Sequence, residues 1–283
     1  VEMARMDVYI TKCIGSRKDR EMSIERQFEQ IGRMIAAEGL PEFPRCLADF
    51  LRSIAHHDFT VIFGYRGTAR PLDLYDDFPR SKHAVFVTDY QAGPYLLDPF
   101  YLAATRPVAA GLYRLRDLAP DRFYQGEYFR SYYARTGLAE EIGFFVETEP
   151  GAMIVLSLMR SDKVFSAREI ATLRTAWPVV EAAVRRHWND LSARFDTTDA
   201  RGAGTAGPQI ERSFQRFGEG LLTPREREVA EYTLKGYSAE AISQILNISS
   251  GTVRIHRRNI YAKLGIGSQG ELFARFIDTL VKA

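Results

Sequence analysis

The sequence predicts an α+β fold in two parts: helices bracketing a mainly antiparallel sheet over most of the chain, then a small all-helical domain at the C-terminus. Three observations carry this reading. Apolar residues recur at helical spacing near the start and again after residue 166, and runs rich in β-branched and aromatic residues lie between them. A stretch of small residues from Asp196 to Pro208, with no large apolar side chain to give a core, then separates off a last group of capped helical segments. The 283 residues, 46% hydrophobic and 26% charged, exclude disordered, collagenous and low-complexity classes and suit about two domains of roughly 100–200 residues each. No apolar run approaches the ~20 residues that span a bilayer. The stretch from Val1 to Arg20 lacks the apolar core of a secretory signal, so a cytoplasmic location and no membrane partner are expected. Cys13 and Cys46 fit neither a disulfide framework nor metal-chelating spacing. No metal or cofactor is expected.

The elements follow in order. Arg26 to Glu38 and Phe43 to His57 read as amphipathic helices on Phe28, Ile31, Met34 and Ile35, then Leu47, Phe50, Leu51 and Ile54. Phe59–Tyr65 reads as a strand, and Glu141–Thr148 with Ala152–Leu158 as a hairpin about Pro150-Gly151. Between them lies a tyrosine-rich region: Tyr90, Tyr95, Phe100, Tyr101, Tyr113, Phe123, Tyr124, Tyr128, Phe129, Tyr132 and Tyr133. Large apolar faces with a polar handle suit a small-molecule cavity or a subunit interface. From Ser166 the helical period returns, with Ser166 and Glu169 at capping-box spacing and Pro178 expected to kink or end the first half. The predicted organisation is a domain over 1–191, a flexible linker over 192–217 and a helical domain over 218–283.

The C-terminal segment holds the basic excess. From Gln209 to Ala283 the formal charge is +3, while the remainder carries −1, and Ser250–Gly265, with Arg254, Arg257, Arg258 and Lys263, contains no acid. Such a stripe points to a polyanion as much as to a solvated helix face. Thr223, Pro224 and Glu226 form a capping box with proline at the first helical position. Gly236 can close that helix in the left-handed region, Ser238 caps a second, and Asn247-Ile-Ser-Ser leads into a basic third. A two-helix corner followed by a basic helix is helix-turn-helix geometry.

The run from Leu222 to Leu272 resembles the LuxR/FixJ-type DNA-binding domain. Leu222-Thr-Pro-Arg-Glu, the mid-motif Gly236, and Thr252-Val-Arg-Ile-His-Arg-Arg-Asn-Ile-Tyr-Ala-Lys-Leu264 match its pattern nearly position for position, over under a fifth of the chain. It departs at Ala241, where the family usually has Glu, and at Ser243, where it has Ala. The resemblance implies a four-helix domain whose third helix lies in the major groove. Arg254 and Arg258, four residues apart and so on one face, would donate to guanine O6 and N7, with Ile255 against a thymine methyl. Ser250, Thr252, His256, Arg257 and Lys263 would position the protein on phosphates, a packing role for His256 being the alternative. Val253, Ile260 and Leu264 should be core. Leu272, Phe273 and Phe276 of the last helix would form the dimer contact commonly made by this element in the family. A two-fold dimer needs an inverted-repeat operator with half-sites about one helical turn apart.

Tyr90-Gln-Ala-Gly-Pro-Tyr-Leu-Leu-Asp-Pro-Phe100 is faintly similar to the Tyr…Asp-Pro stretch of autoinducer-binding domains, in which the Asp accepts from the signal's amide; Asp98 holds that position. The family's paired Trp and Asn-Tyr-Pro are absent. The resemblance implies an α/β/α GAF/PAS-like sensor fold, with Asp98, Tyr90, Tyr95, Phe100, Tyr101 and Tyr113 as candidate pocket residues, and does not imply an acyl-homoserine lactone. An Asp before Pro is equally turn chemistry. If Asp98 or Asp89 is buried among aromatics, a donor-bearing or cationic ligand would compensate its desolvation. The expectation is a one-component, ligand-responsive transcription factor, an activator by family habit, whose partners are double-stranded DNA, a small-molecule effector, a second copy of itself and RNA polymerase. A ligand-independent DNA-binding dimer is the alternative. A phosphorylated receiver on Asp76-Asp77 is disfavoured because two helices precede the first strand. An enzyme is disfavoured because His56-His57 has no third ligand or nucleophile near it in sequence.

Overall fold

The computed structural model describes residues 24–106, 108–200 and 217–281 and divides into two units, Val1–His57 with Phe165–His187 and Asp58–Val164 with Trp188–Ala283.

The first unit is helical. Helix α1 covers 24–36 and α2 Phe43–Ile54. The stretch after Ser166 forms two helices, α7 (Ala167–Thr175) and α8 (Trp177–His187). Ser166 and Glu169 complete the reciprocal capping box that starts α7, and Pro178 sits in the first turn of α8, where its missing N–H costs nothing. The buried faces are Phe43, Leu47, Phe50 and Leu51 of α2, Ile170 and Leu173 of α7, and Val180 and Val184 of α8. Phe43 stacks on His187 at 4.1 Å between ring centres, and His187 Nδ1 accepts from the Gly39 N–H at 3.1 Å. The expected apolar stripe of α1 is only partly used: Met34 is buried, while Phe28 and Ile35 are 69% and 61% exposed.

The second unit holds a five-stranded antiparallel sheet, in the order β2-β1-β5-β4-β3, of β1 (Phe59–Arg66), β2 (Leu72–Asp76), β3 (Gly111–Arg114), β4 (Glu140–Glu149) and β5 (Ala152–Arg160). Strands β4 and β5 are the expected hairpin, with Gly151 at φ +78° in its turn. Such a value costs little without a Cβ. The register places Val61 against Ser157 and Phe63 against Val155, and Glu141 against Met159 and Gly143 against Ser157, so these residues share one face. Ile62, Ile142, Phe144 and Leu156 occupy the other and are buried. There Gly64 gives room to Leu191, whose Cδ1 lies 2.9 Å from where a Cβ would stand.

Over the first face run short elements: α3 (Arg80–His83), a π-helix (Ala84–Asp89), a 3-10 turn (Pro94–Leu97), α4 (Pro99–Ala104), α5 (Leu115–Leu118) and α6 (Glu127–Ser131). The expected linker begins inside another helix, α9 (Leu191–Ala200). Phe195 is buried there, with the Arg66 guanidinium 4.9 Å over its ring, and Arg66 donates to the Ser192 carbonyl and to Asp196. The flexibility expected from 192 is thus corrected to helix as far as 200; 201–216 lie outside the described residues, as does Cys13.

The C-terminal helices are α10 (Pro224–Leu234), α11 (Ala239–Leu246), α12 (Ser250–Leu264) and α13 (Gln269–Val281). Each boundary has a local cause. Thr223 and Glu226 cap each other's backbone at the start of α10, and Ser238 and Ser249 accept from the N–H three residues on. Gly236 (φ +92°) and Asn247 (φ +53°) turn the chain between helices. Val229, Ile242, Val253, Ile260 and Leu264 close the core. No helix among the described residues is long and apolar enough to cross a membrane.

Candidate nucleic-acid interface and buried pocket

Helix α12 presents one polar face. Val253, Ile260 and Leu264 point into the core, which leaves Gly251, Arg254, Ile255, Arg258 and Ala262 exposed at spacings of three and four. Ser249 fixes the start of that face: its hydroxyl accepts from the Thr252 N–H at 3.0 Å and lies 2.8 Å from Thr252 Oγ1. Arg254 pairs with Glu240 across the surface, where an incoming phosphate or base can displace the carboxylate at little cost. Arg258 is exposed, and Ser250 and His256 are half-exposed.

Two basic residues of the expected phosphate set have internal partners. Arg257 donates from Nε to Thr233 Oγ1 and from an η nitrogen to the Tyr237 carbonyl, both at 3.0 Å. Burial holds its pKa below the ordinary guanidinium value. Lys263 donates to Glu226 at 2.6 Å, and the lysine with the Thr223 groups holds that carboxylate below its usual range against the burial that would raise it. Arg257 therefore braces α12 against α10 and the turn after it, and Lys263 completes the α10 cap. The departure at Ala241 leaves its cap intact, since the Ala241 N–H donates to Ser238 Oγ at 3.0 Å. Leu272, Phe273 and Phe276 are buried, Phe276 edge-on to Phe217 at 5.6 Å. They are core residues, a correction to the dimer contact expected of them, and among the described side chains the exposed positions of α13 are Glu271, Ala274, Arg275 and Asp278.

Between the sheet and the short helices lies a narrow cavity lined by Val61, Phe63, Tyr65, Phe86, Tyr90, Asp98, Phe100, Tyr128, Tyr132, Tyr133, Thr136, Leu138, Glu141, Ser157 and Met159. Of the expected pocket residues it collects Asp98, Tyr90 and Phe100. The other three are corrected to packing roles outside the lining. Tyr95 and Tyr101 meet edge to face at 4.9 Å, and Tyr113 packs on Phe145 and donates to the Ala109 carbonyl. Asp98 serves both readings of the Asp-Pro pair: one oxygen caps α4 by accepting from the Phe100 N–H at 2.9 Å, and the other accepts from the Tyr90 hydroxyl at 2.6 Å. Tyr90 in turn lies 2.9 Å from the Tyr65 hydroxyl, while Asp89 is exposed.

A second acid, Glu141, was not foreseen. It is buried and accepts from the Tyr133 hydroxyl at 3.1 Å. Burial lifts the Asp98 pKa to about 6, against the pull of the Tyr90 and Phe100 hydrogen bonds. Burial, followed by the Asp98 charge, lifts Glu141 to about 8, against hydrogen bonds from Ser157 and Tyr133. The signal for Glu141 was present in Glu140-Glu141: adjacent strand residues face opposite sides, so one of the two must turn inward. Glu140 turns the other way and is held by Arg114. Gly143 clears space on the Glu141 side, because a Cβ there would stand 2.9 Å from the Phe100 ring.

The motifs behind the rival readings have local roles. The Asp76 carboxylate accepts from the Phe78 N–H and meets His83, and Asp77 accepts from the Thr60 N–H at 2.7 Å. The His57 ring lies buried with Nδ1 3.0 Å from the Ala55 carbonyl.

The segment that carries the pocket tyrosines also touches the C-terminal helices. Asp121 accepts from the Ser238 N–H at 3.0 Å, and the Arg122 N–H donates to the Gly236 carbonyl at 3.0 Å. The Phe123 backbone is 3.1 Å from where a Gly236 Cβ would stand. Five residues after Phe123 the same stretch delivers Tyr128 to the cavity wall.

Comparison with known proteins gives three findings. Residues 220–275 match the family described as bacterial regulatory proteins, luxR family. An HTH-type transcriptional regulator of the exeN 3′ region of Aeromonas salmonicida is 34% identical over 189 residues, 66% of this chain and 96% of the relative. The monoamine regulon transcriptional regulator of Klebsiella aerogenes is 26% identical over 195 residues, 69% of this chain and 72% of its own. Among solved structures, the LBD domain of VqsR from Pseudomonas aeruginosa aligns with 56% of this chain and 94% of its own at a TM-score of 0.51 and 27% identity.

Proposed function

The chain belongs to the luxR family of bacterial regulatory proteins, and from that premise we propose that this transcriptional regulator is a one-component sensor: a dimer that binds an inverted-repeat operator and answers to a small-molecule effector in the aromatic cavity. The observation that carries the DNA reading is the exposed face of α12, where Arg254, Ile255 and Arg258 stand clear of a core built by Val253, Ile260 and Leu264. Arg254 and Arg258 read guanine edges, Ile255 meets a thymine methyl, and Ser250, Thr252 and His256 position the helix on phosphates. The domain organisation in the proposal is a sensor over 1–191 and a DNA-binding domain over 218–283, with activation of transcription and contact with RNA polymerase as the output.

The effector acts by population shift: it changes DNA affinity only through its different affinities for two arrangements of the protein. The stretch from Asp121 to Tyr133 supports this route, because it lines the cavity at one end and holds the Gly236–Ser238 turn at the other. Arg258→Ala tests the DNA reading. In fluorescence anisotropy against a selected operator and its single-base variants, the substitution is expected to cost about 1–3 kcal/mol and to relax discrimination at one base position. Unchanged discrimination at every position would remove Arg258 from base readout.

A further inference from the structure

Building on the reading of the cavity as the effector site, we propose that it takes a small organic cation, an ammonium carried on an apolar body, with the positive head at Asp98 and Glu141. The polar lining is unusual in what it lacks. No Lys, Arg or His is among the lining residues. Lys82 donates to the carbonyl of Thr136 and lies over the Phe59 and Phe86 rings. What the wall does offer is two carboxyls, the hydroxyls of Thr136 and Ser157, and five tyrosines. Two of those tyrosines already donate to the acids, Tyr90 to Asp98 and Tyr133 to Glu141. Tyr128 is nearly fully buried in the same wall.

The surplus is therefore of acceptors and aromatic faces. A carboxylate or phosphate head would meet two acids. A neutral amide can donate to one carboxyl and brings no positive charge to balance the pair. An ammonium has three donors and no acceptor, forms charge-assisted hydrogen bonds with both acids, and gains from the tyrosine faces around it. Val61, Phe63, Phe86, Phe100 and Met159 supply the apolar part of the wall.

Proton balance gives the proposal a signature. The titratable groups that line the cavity with Glu141 are Asp98, Tyr65, Tyr90, Tyr128, Tyr132 and Tyr133, and Tyr124 beyond the lining also feels its charge. With its pKa near 8, Glu141 holds a proton at pH 7 when the cavity is empty. Entry of an ammonium makes the carboxylate the favoured form, and that proton passes to the buffer. Binding then strengthens as pH rises from 6 to 8, and its heat differs between phosphate and Tris buffers by the protons released.

The test is calorimetry on the full chain with 2-phenylethylammonium and octylammonium, each against its alcohol, 2-phenylethanol and 1-octanol, and with N-octanoyl homoserine lactone as a neutral amide. The expected result is at least one ammonium binding tenfold or more tighter than its alcohol, with proton release and with the rise from pH 6 to 8. Glu141→Gln should abolish the proton release and most of the preference. Asp98→Asn, which keeps the helix cap, should weaken the ammonium alone, and the wild-type pH series stands by itself if either variant fails to fold. Alcohols or the lactone binding as tightly as the ammonium compounds, or no binding of either ammonium, would overturn the proposal. Operator affinity measured with each compound separates the two claims. An ammonium that binds without altering DNA affinity sinks the sensor reading and leaves the cation site. A neutral compound that binds best and alters DNA affinity does the reverse.

Discussion

Glu140 and Glu141 are adjacent in the chain and opposite in fate. One is held by Arg114 on one side of the sheet, and the other is buried in the cavity on a tyrosine hydroxyl. The cavity acid has a measurable consequence without any ligand. Its folded pKa, about 8, lies above the ordinary value of 4.5. The protonated form is therefore favoured by folding, and its contribution is complete below about pH 4.5 and lost as pH rises to about 8. Over that window it lowers stability by up to about 1.4 kcal/mol per pH unit. Asp98 acts in the same sense over a narrower range, from 3.8 to about 6. In urea titrations from pH 5 to 8, Glu141→Gln is expected to flatten the fall in stability, and an equal slope in both proteins would contradict the protonated pocket. At this scale the sequence showed which side chains had the right chemistry, and less of what they touch. Arg257 belongs to the basic stripe by spacing, yet its donors go to Thr233 and the Tyr237 carbonyl, partners some twenty residues away that only folding brings near.

Helix boundaries were legible wherever a local rule sets them. The Thr223 and Ser166 capping boxes, Ser238, the Gly236 turn and the break at Pro178 all arise from groups within a few residues of one another. The role of an apolar face was less legible, because the same period marks a core and an interface. Leu272, Phe273 and Phe276 are core, whereas Phe28 and Ile35, read as packed, are exposed. The π-helix and 3-10 turns over the sheet left no periodic signal, which is why the cavity's outer wall was visible only as composition. The element of most consequence is the stretch from Asp121 to Tyr133. If it transmits the effector's presence, Asp121→Ala, which removes the acceptor for the Ser238 N–H, should shrink the difference between effector-free and effector-bound operator affinities severalfold while leaving effector binding unchanged. An undiminished difference would place the coupling elsewhere.

At the scale of the whole molecule, the basic excess of the C-terminal segment, +3 against −1 elsewhere, and the exposed face of α12 suit a polyanionic partner. The sheet and its cavity supply the place where a second molecule could bias that binding. The expected separation into sensor, linker and DNA-binding domain was read from composition, which registers small residues and misses the helix that α9 extends into them through Phe195 and its Arg66 contact. Family membership fixes a transcriptional regulator, and symmetry remains the testable core of the account. Selection of binding sites from random duplex DNA by the full chain tests it most directly. The account predicts an enriched inverted repeat whose half-sites lie about one helical turn apart, lost in Arg258→Ala. A single asymmetric half-site, or no enriched sequence at all, would contradict a dimer reading DNA through α12.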